Sequence, residues 1–176
     1  MNNTRWLCNE RMRLRAPEPE DLDLMYQMEN DTTLWSVSNT VQPYSRYTLR
    51  DYISATTHDI YSDKQARFVI ELAGGERVGA VDIADFNPHD SRAEVCIGIL
   101  GKYCGQGIAY EALKLICDYA IHFLGLHQLY AYIPAEHEIS KKLFFKAEFT
   151  EIATLKEWKR EGEKFVDISI FQLLKG

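Results

Sequence analysis

Residues Lys102–Leu113 read KYCGQGIAYEAL, and the rest of the chain can be placed around them. They follow a short apolar run, Val95-Cys96-Ile97-Gly98-Ile99-Leu100, that reads as a buried strand. After them Ile108, Ala112, Leu115, Ile116, Tyr119 and Phe123 recur at steps of three and four. That period predicts an amphipathic helix, with Gly125 as its stop. The unit is strand, glycine turn, helix. Gly105 and Gly107 lack a Cβ, so the turn can take a left-handed backbone and let a ligand approach its N–H groups. The first N–H groups of a helix have no internal partner and carry the positive end of its dipole, which suits a phosphate. Lys102 and Gln106 stand where side-chain donors would add to them.

Neither of two common phosphate loops is present. GxxxxGK(S/T) is absent, and Gly105-Gln106-Gly107 runs on into Ile108-Ala109-Tyr110 without the third glycine of a dinucleotide loop. A plain tight turn is the other reading of the same glycines. Composition narrows the class further. A net charge of -6 and the lack of a basic stripe argue against nucleic acid as partner and favour a cationic substrate. No apolar run reaches membrane-span length and the start shows no signal-peptide core, so the expected location is the cytoplasm. Cys8, Cys96, Cys104 and Cys117 lack metal or disulfide spacing, so no metal is expected; Cys96 and Cys117 read as small core residues.

Met12, Leu14 and Ala16 alternate with Arg11, Arg13 and Arg15, a half-buried strand with an arginine face. Pro17 and Pro19 lead into a helix expected to bury Leu22, Met25, Tyr26 and Glu29. Its acidic first turn complements the dipole, while Glu29 and Asp31 at the far end form a candidate cation-binding rim. The segment 31–44, with Trp35, Asn39 and Pro43, reads as loop, and Ser45 as the cap of a second helix with a Leu49, Tyr52, Ile53, Thr56 stripe. Three strands follow, Arg67–Leu72, Arg77–Asp85 and Arg92–Ile99, the first two joined at Gly74-Gly75. Beyond the long helix come a strand at Gln128–Ile133, a helix at Glu138–Lys146, and strands at Phe149–Glu157 and Phe165–Leu174. The order β-α-α-β-β-β-α-β-α-β-β is α+β, and one domain over 1–176 is the simplest reading.

Cys104-Gly105-Gln106-Gly107-Ile108-Ala109 resembles the acetyl-CoA pyrophosphate loop of the GNAT N-acetyltransferases, written Q/R-x-x-G-x-G/A. Gly107 and Ala109 match its fourth and sixth positions; Cys104 replaces the first. A second stretch, His137 to Phe149, is similar to the family pattern N-x-x-S-x-x-L-Y-x-K-x-G-F. Ser140, Leu143, Lys146 and Phe149 match, whereas His137, Phe144 and Glu148 stand for Asn, Tyr and Gly. The resemblance covers Met12 to Leu174 and implies a GNAT (acyl-CoA N-acyltransferase) fold, a mixed sheet of about seven strands with about four helices. It also implies acetyl-CoA as co-substrate, held by the loop 104–109, by Cys96, Ile97 and Ile99 on a strand that splays from its neighbour, and by His137, Ser140, Phe144 and Lys146.

The implied reaction is direct acetyl transfer to a primary amine. The second half is most similar to the spermidine and polyamine branch and to the branch acetylating ribosomal-protein N-termini. A polyamine such as spermidine is therefore the expected acceptor, with a peptide N-terminus, or a non-catalytic acyl-CoA-binding role, as the alternatives. For the base, Glu94, Asp82 and Asp85 are open candidates. Phe144 has no proton to give where the family has Tyr, so His137 or water is expected to protonate the leaving CoA thiolate. Glu29, Asp31, Trp35 and Asp85 are the expected substrate contacts. The closing strand is read as covering its own sheet or pairing across a homodimer.

Overall fold

In the computed structural model, residues 6–35, 38, 40–57 and 59–176 are described; Asn39 of the expected loop lies outside them. The strands are β1 (Met12–Arg15), β2 (Ala66–Leu72), β3 (Arg77–Asn87), β4 (Arg92–Ile99), β5 (Gln128–Pro134), β6 (Thr150–Glu161) and β7 (Lys164–Leu174). The helices are α1 (Leu22–Glu29), α2 (Arg46–Ala55), α3 (Ile60–Asp63), α4 (Ile108–Asp118) and α5 (Glu138–Lys146). All strands form one seven-stranded sheet in the order β1-β2-β3-β4-β5-β7-β6. Every neighbouring pair is antiparallel except β4 and β5, which run parallel.

Strand alternation divides the core between the two faces. Phe68 and Ile70 of β2 point towards α4, joining Val81, Val95, Ile108, Leu113 and Ile116. Val69 points the other way, onto Leu24 of α1 and Leu100. Burying a side chain such as Leu113 or Ile116, both fully enclosed, is worth about 1.5–3 kcal/mol each.

Several local readings change. α1 buries Leu24 and Met25, while Tyr26 is exposed with Arg46 4.4 Å above its ring. A 3-10 turn at Pro19–Asp21 precedes α1 and shifts the buried face relative to a continuous helix. α4 runs into a π-helical turn at Tyr119–Phe123, closed by Leu124 N–H donating to the Tyr119 carbonyl at 3.0 Å. The wider turn rotates Phe123 out of the stripe, and it is 57% exposed. The short α3 turn joins the four longer helices of the sequence reading, making five α-helices among the described residues. β7 lies inside the sheet between β5 and β6, so β6, and not the closing strand, forms the edge opposite β1. Cys117 is buried as expected, but Cys96 is exposed.

The arginine face of β1 is anchored by acids. Arg15 donates to both oxygens of Asp21 at 2.7 and 3.0 Å and to Glu71 at 2.5 Å, and Arg13 also reaches Glu71. Asp21 is fully buried and also accepts from Glu18 N–H and Arg77. Burial pushes its pKa up, but the bonds from Arg15 and Glu18 outweigh burial and hold it below the ordinary Asp value. A depressed folded-state pKa gives stability that is present above the unfolded value, about 3.9, and lost as pH falls through the folded one. Asp21→Asn should therefore cost about 1.5–3 kcal/mol at pH 7 and flatten the loss of stability below about pH 4. Urea melts across that range test this; an unchanged acid slope would remove Asp21 as its source.

Candidate active site

β4 and β5 pair only over Arg92–Glu94 with Gln128–Tyr130. Beyond Glu94 the strands part, because β5 continues against β7 while β4 stays on β3. The side of β4 from Val95 to Ile99 that faces β5 is left without a ladder partner, so its backbone polar groups are available to an extended ligand. At the far end of this cleft the chain enters a 3-10 turn at Gly101–Tyr103 and then the glycine loop.

In that loop Gly105 has φ +77° and Gly107, the cap of α4, has φ +79°. Both are left-handed conformations that side chains rarely adopt, and nothing lies within 4 Å of the space over Gly105. The first intrahelical bond is Glu111 N–H to the Gly107 carbonyl, so the N–H groups of Ile108, Ala109 and Tyr110 precede any helical acceptor. An open cradle of this kind fits a diphosphate. Cys104 is exposed, and the Gln106 amide donates back to the Lys102 carbonyl at 3.2 Å rather than outward. Lys102 rests over the Tyr103 ring.

The sequence reading did not anticipate the brace behind this loop. Arg11 donates to the Gln106 carbonyl at 2.8 Å and to Glu111 at 2.7 Å, and Asn9 reaches the other Glu111 oxygen at 3.1 Å. In the sequence Arg11 reads only as part of the arginine face.

On the α1 face a cavity of about 340 Å³ opens beside the cleft, lined by Glu29, Tyr44, Thr48, Tyr52, Arg67, Asp82, Ala84 and Cys96 among others. Register puts its acids together: Arg67 is opposite Asp82, Asp82 opposite Cys96, and Ala84 opposite Glu94. Arg67 donates to both Asp82 oxygens at 2.9 and 2.8 Å and to Glu29 at 2.5 Å. Burial alone would pull its pKa down, but the two carboxylates raise it well above the ordinary value. One cation against Glu29 and Asp82 leaves the cavity acidic, with Glu94 beside it. Glu94 receives only a weak contact from the Cys96 thiol at 3.5 Å. Burial raises its pKa, Cys96 lowers it and Asp85 raises it again, for a net rise. Cys96 is exposed along the open cleft, yet the protein atoms crowded around its thiol, and then the Glu94 and Asp82 charges, push its pKa up, so it stays protonated.

Other expected contacts fall elsewhere. Asp31 is turned onto Thr33, which donates from N–H and hydroxyl and holds the Asp31 pKa below its ordinary value. Trp35 donates from its indole to the Glu29 carbonyl at 2.9 Å, so it positions α1 instead of lining the cavity. Asp85 accepts from the Tyr130 hydroxyl at 2.5 Å. Phe144 is 4% exposed and packs edge-on against Phe149 and Phe171, a core position. His137 caps α5, its Nδ1 accepting from Ser140 N–H at 3.2 Å, and Lys146 sits 4.3 Å above the Tyr110 ring. Among the described residues no cluster of His, Cys, Asp or Glu is arranged to hold a metal ion, and no helix is long and apolar enough to cross a membrane.

A profile of the acetyltransferase (GNAT) domain matches residues 11–150. The chain belongs to the GNAT acetyltransferase family. GNAT relatives extend the match. The chain is 34% identical over 145 residues to the spermidine N(1)-acetyltransferase of Escherichia coli K12, covering 78% of this chain and 74% of that one. The crystal structure of the Vibrio cholerae spermidine N-acetyltransferase in complex with CoA and spermine has a TM-score of 0.85 at 26% identity, covering 94% of this chain and 96% of that one. A dodecameric structure of the Vibrio cholerae enzyme gives a TM-score of 0.80 at 25% identity, covering 94% and 95%. The GNAT assignment makes this chain an acetyl-CoA-dependent acyltransferase.

Proposed function

We propose that the chain transfers the acetyl group of acetyl-CoA to a primary amine of a polyamine such as spermidine. The observation that carries this reading is the acidic cavity of Glu29, Asp82 and Arg67 opening beside Glu94 and the unpaired side of β4. The named activities of the relatives support it. In this reading the loop from Gly105 to Ala109 holds the diphosphate, and the β4 backbone over Cys96, Ile97 and Ile99 holds the extended arm.

Bound acetyl-CoA supplies an acyl carbon whose bond to sulfur breaks as the amine nitrogen forms the amide. Before attack the ammonium must lose a proton. Glu94 takes that role: its pKa is raised by burial and by Asp85, which narrows its gap to an ammonium, and it has free acceptor capacity. Asp82 does not compete, because Arg67 occupies both of its oxygens. Since His137 Nδ1 accepts a hydrogen bond, its neutral ring carries the proton on Nε2, a donor for the extended arm where the family has an Asn amide. Phe144 supplies no proton, and the thiolate, with a reference pKa of about 8.5, leaves without a protein acid and is protonated by water.

We further infer that residues 1–176 act as one catalytic domain in the cytoplasm and assemble with copies of the same chain. The exposed Trp158 and Phe165 of the β6–β7 hairpin, together with the dodecamer of the Vibrio cholerae relative, support the assembly.

The test is acetyl transfer to polyamines, amino acids and N-terminal peptides, with Gly107→Val as control. Spermidine or spermine should be the preferred acceptor. The variant should lose the thermal stabilisation by acetyl-CoA, which at 100 times the dissociation constant amounts to about 2.7 kcal/mol. Transfer confined to peptides would overturn the polyamine assignment, and stabilisation by CoA without any transfer would overturn the catalytic one.

A further inference from the structure

We propose that Asp85 and Tyr130 form a positioning pair that acts through Glu94, an inference that rests on Glu94 being the base. Tyr130 is the β5 residue opposite Glu94, at the last paired position before the strands part. Side chains at paired positions leave a sheet on the same face, so Tyr130 and Glu94 stand side by side. Asp85 follows Ala84, the β3 partner of Glu94, at the point where the β3–β4 ladder breaks and resumes only at Asn87. Its φ is +45°, a left-handed backbone that most side chains avoid and that Asp and Asn tolerate best. Such a break re-aims a side chain. Here it brings the Asp85 carboxylate to the Tyr130 hydroxyl at 2.5 Å. β3 and β5 lie on either side of β4, so this bond spans β4 at the position of Glu94.

The charged and titratable neighbours on this face include Arg92 and Cys96 of β4, Asp82 of β3, Tyr132 of β5, Arg67 of β2, Glu29 of α1 and Tyr52 of α2. Of these, Cys96 alone touches Glu94, and Asp85 is the charge that raises its pKa beyond the effect of burial. Burial and Asp85 together keep the Tyr130 hydroxyl protonated and therefore a donor. The division of labour follows. Two carboxylates facing one site compete for one proton, and the hydroxyl that supports negative charge on Asp85 directs that proton to Glu94. Glu94, whose pKa burial and Asp85 raise, is the group that exchanges.

The pair makes two variants move Glu94 in the same direction, and not additively. Asp85→Asn tolerates the same backbone and removes the like charge, so Glu94 gives up its proton at lower pH. Tyr130→Phe keeps the ring but withdraws the donor, so Asp85 competes for the shared proton and Glu94 again gives it up at lower pH. Both, and the double variant, are read by carboxyl carbon-13 titration of the full chain, with the Glu94 resonance assigned by its loss in Glu94→Gln and folding checked by thermal melts. The expected result is a midpoint displaced downward by about half a pH unit in Asp85→Asn, by less in Tyr130→Phe, and no further in the double variant than in Asp85→Asn alone. Midpoints that stay in place or rise, or a Tyr130→Phe displacement that persists when Asp85 is already Asn, would overturn the pairing. The acid limb of kcat/KM for spermidine should follow the same two displacements. A limb that stays fixed while the titration midpoint moves removes Glu94 as the base but leaves the pair's control of its protonation standing.

Discussion

Glu94→Gln is expected to lower kcat for amine acetylation by about 10²- to 10⁴-fold, the usual contribution of a positioned base. The substitution keeps the shape and removes the proton acceptor. Acetyl-CoA affinity should stay within about twofold, because the β4 backbone and the glycine loop are untouched by it. Raising the pH should restore part of the rate, since a larger fraction of the amine then arrives already deprotonated. Steady-state kinetics against pH, with direct measurement of acetyl-CoA binding, separate these effects. A loss below about tenfold with binding intact would assign proton removal to solvent.

Arg67→Ala has the largest expected effect on stability. The guanidinium is the common partner of Glu29 and Asp82, and its side chain is 22% exposed. Truncation leaves two carboxylates facing each other in the cavity without a counter-charge, and breaking a pair of this kind costs about 3–5 kcal/mol. The pH dependence identifies the cause. Carboxylates that have lost their partner bind protons more readily folded than unfolded, so the variant should recover stability as pH falls, the reverse of the Asp21 behaviour. Arg67→Lys retains the charge but not the fork that meets both Asp82 oxygens, and should fall between. Urea melts of the three proteins at two pH values test this. A cost under about 1 kcal/mol would mean that Glu29 and Asp82 find water or other donors once Arg67 is gone.

What the sequence disclosed and what it hid divide along the range of the interactions. Gly105 and Gly107 were legible because a left-handed turn before a helix has a local signature, and Ser45, which accepts from Thr48 N–H at 3.0 Å, was legible for the same reason. The meander from β2 to β4 could be read from alternation and a glycine turn. Arg67 was not singled out, because its importance depends on the β2–β3 register, which puts Asp82 opposite it, and on α1 delivering Glu29 from 38 residues away. Tyr130 reads as one aromatic of a strand; the break in β3 is what gives its hydroxyl a partner. The π-helical turn defeated the periodicity argument directly, since one wider turn is enough to send Phe123 to solvent while Ile121 stays buried. Asp31 and Trp35 were chosen for their chemistry, and both are used by the local chain, one closing a turn and the other holding the end of α1.

The brace from Arg11 to Gln106 and Glu111 bears on how portable the cofactor loop is. Taken as a motif, strand, loop and helix look like a cassette that could be lifted into another scaffold. In this protein the rear of the loop is held by a residue 95 positions earlier in the chain, one that takes its place only when β1 has joined the far edge of the sheet. During synthesis the loop therefore emerges long after its support, and it needs nothing later than Glu111 of α4 to complete that brace. A transplanted cassette would need to bring both ends of this connection, and an amino-terminal fusion to this chain would need to leave Asn9 and Arg11 free to reach it.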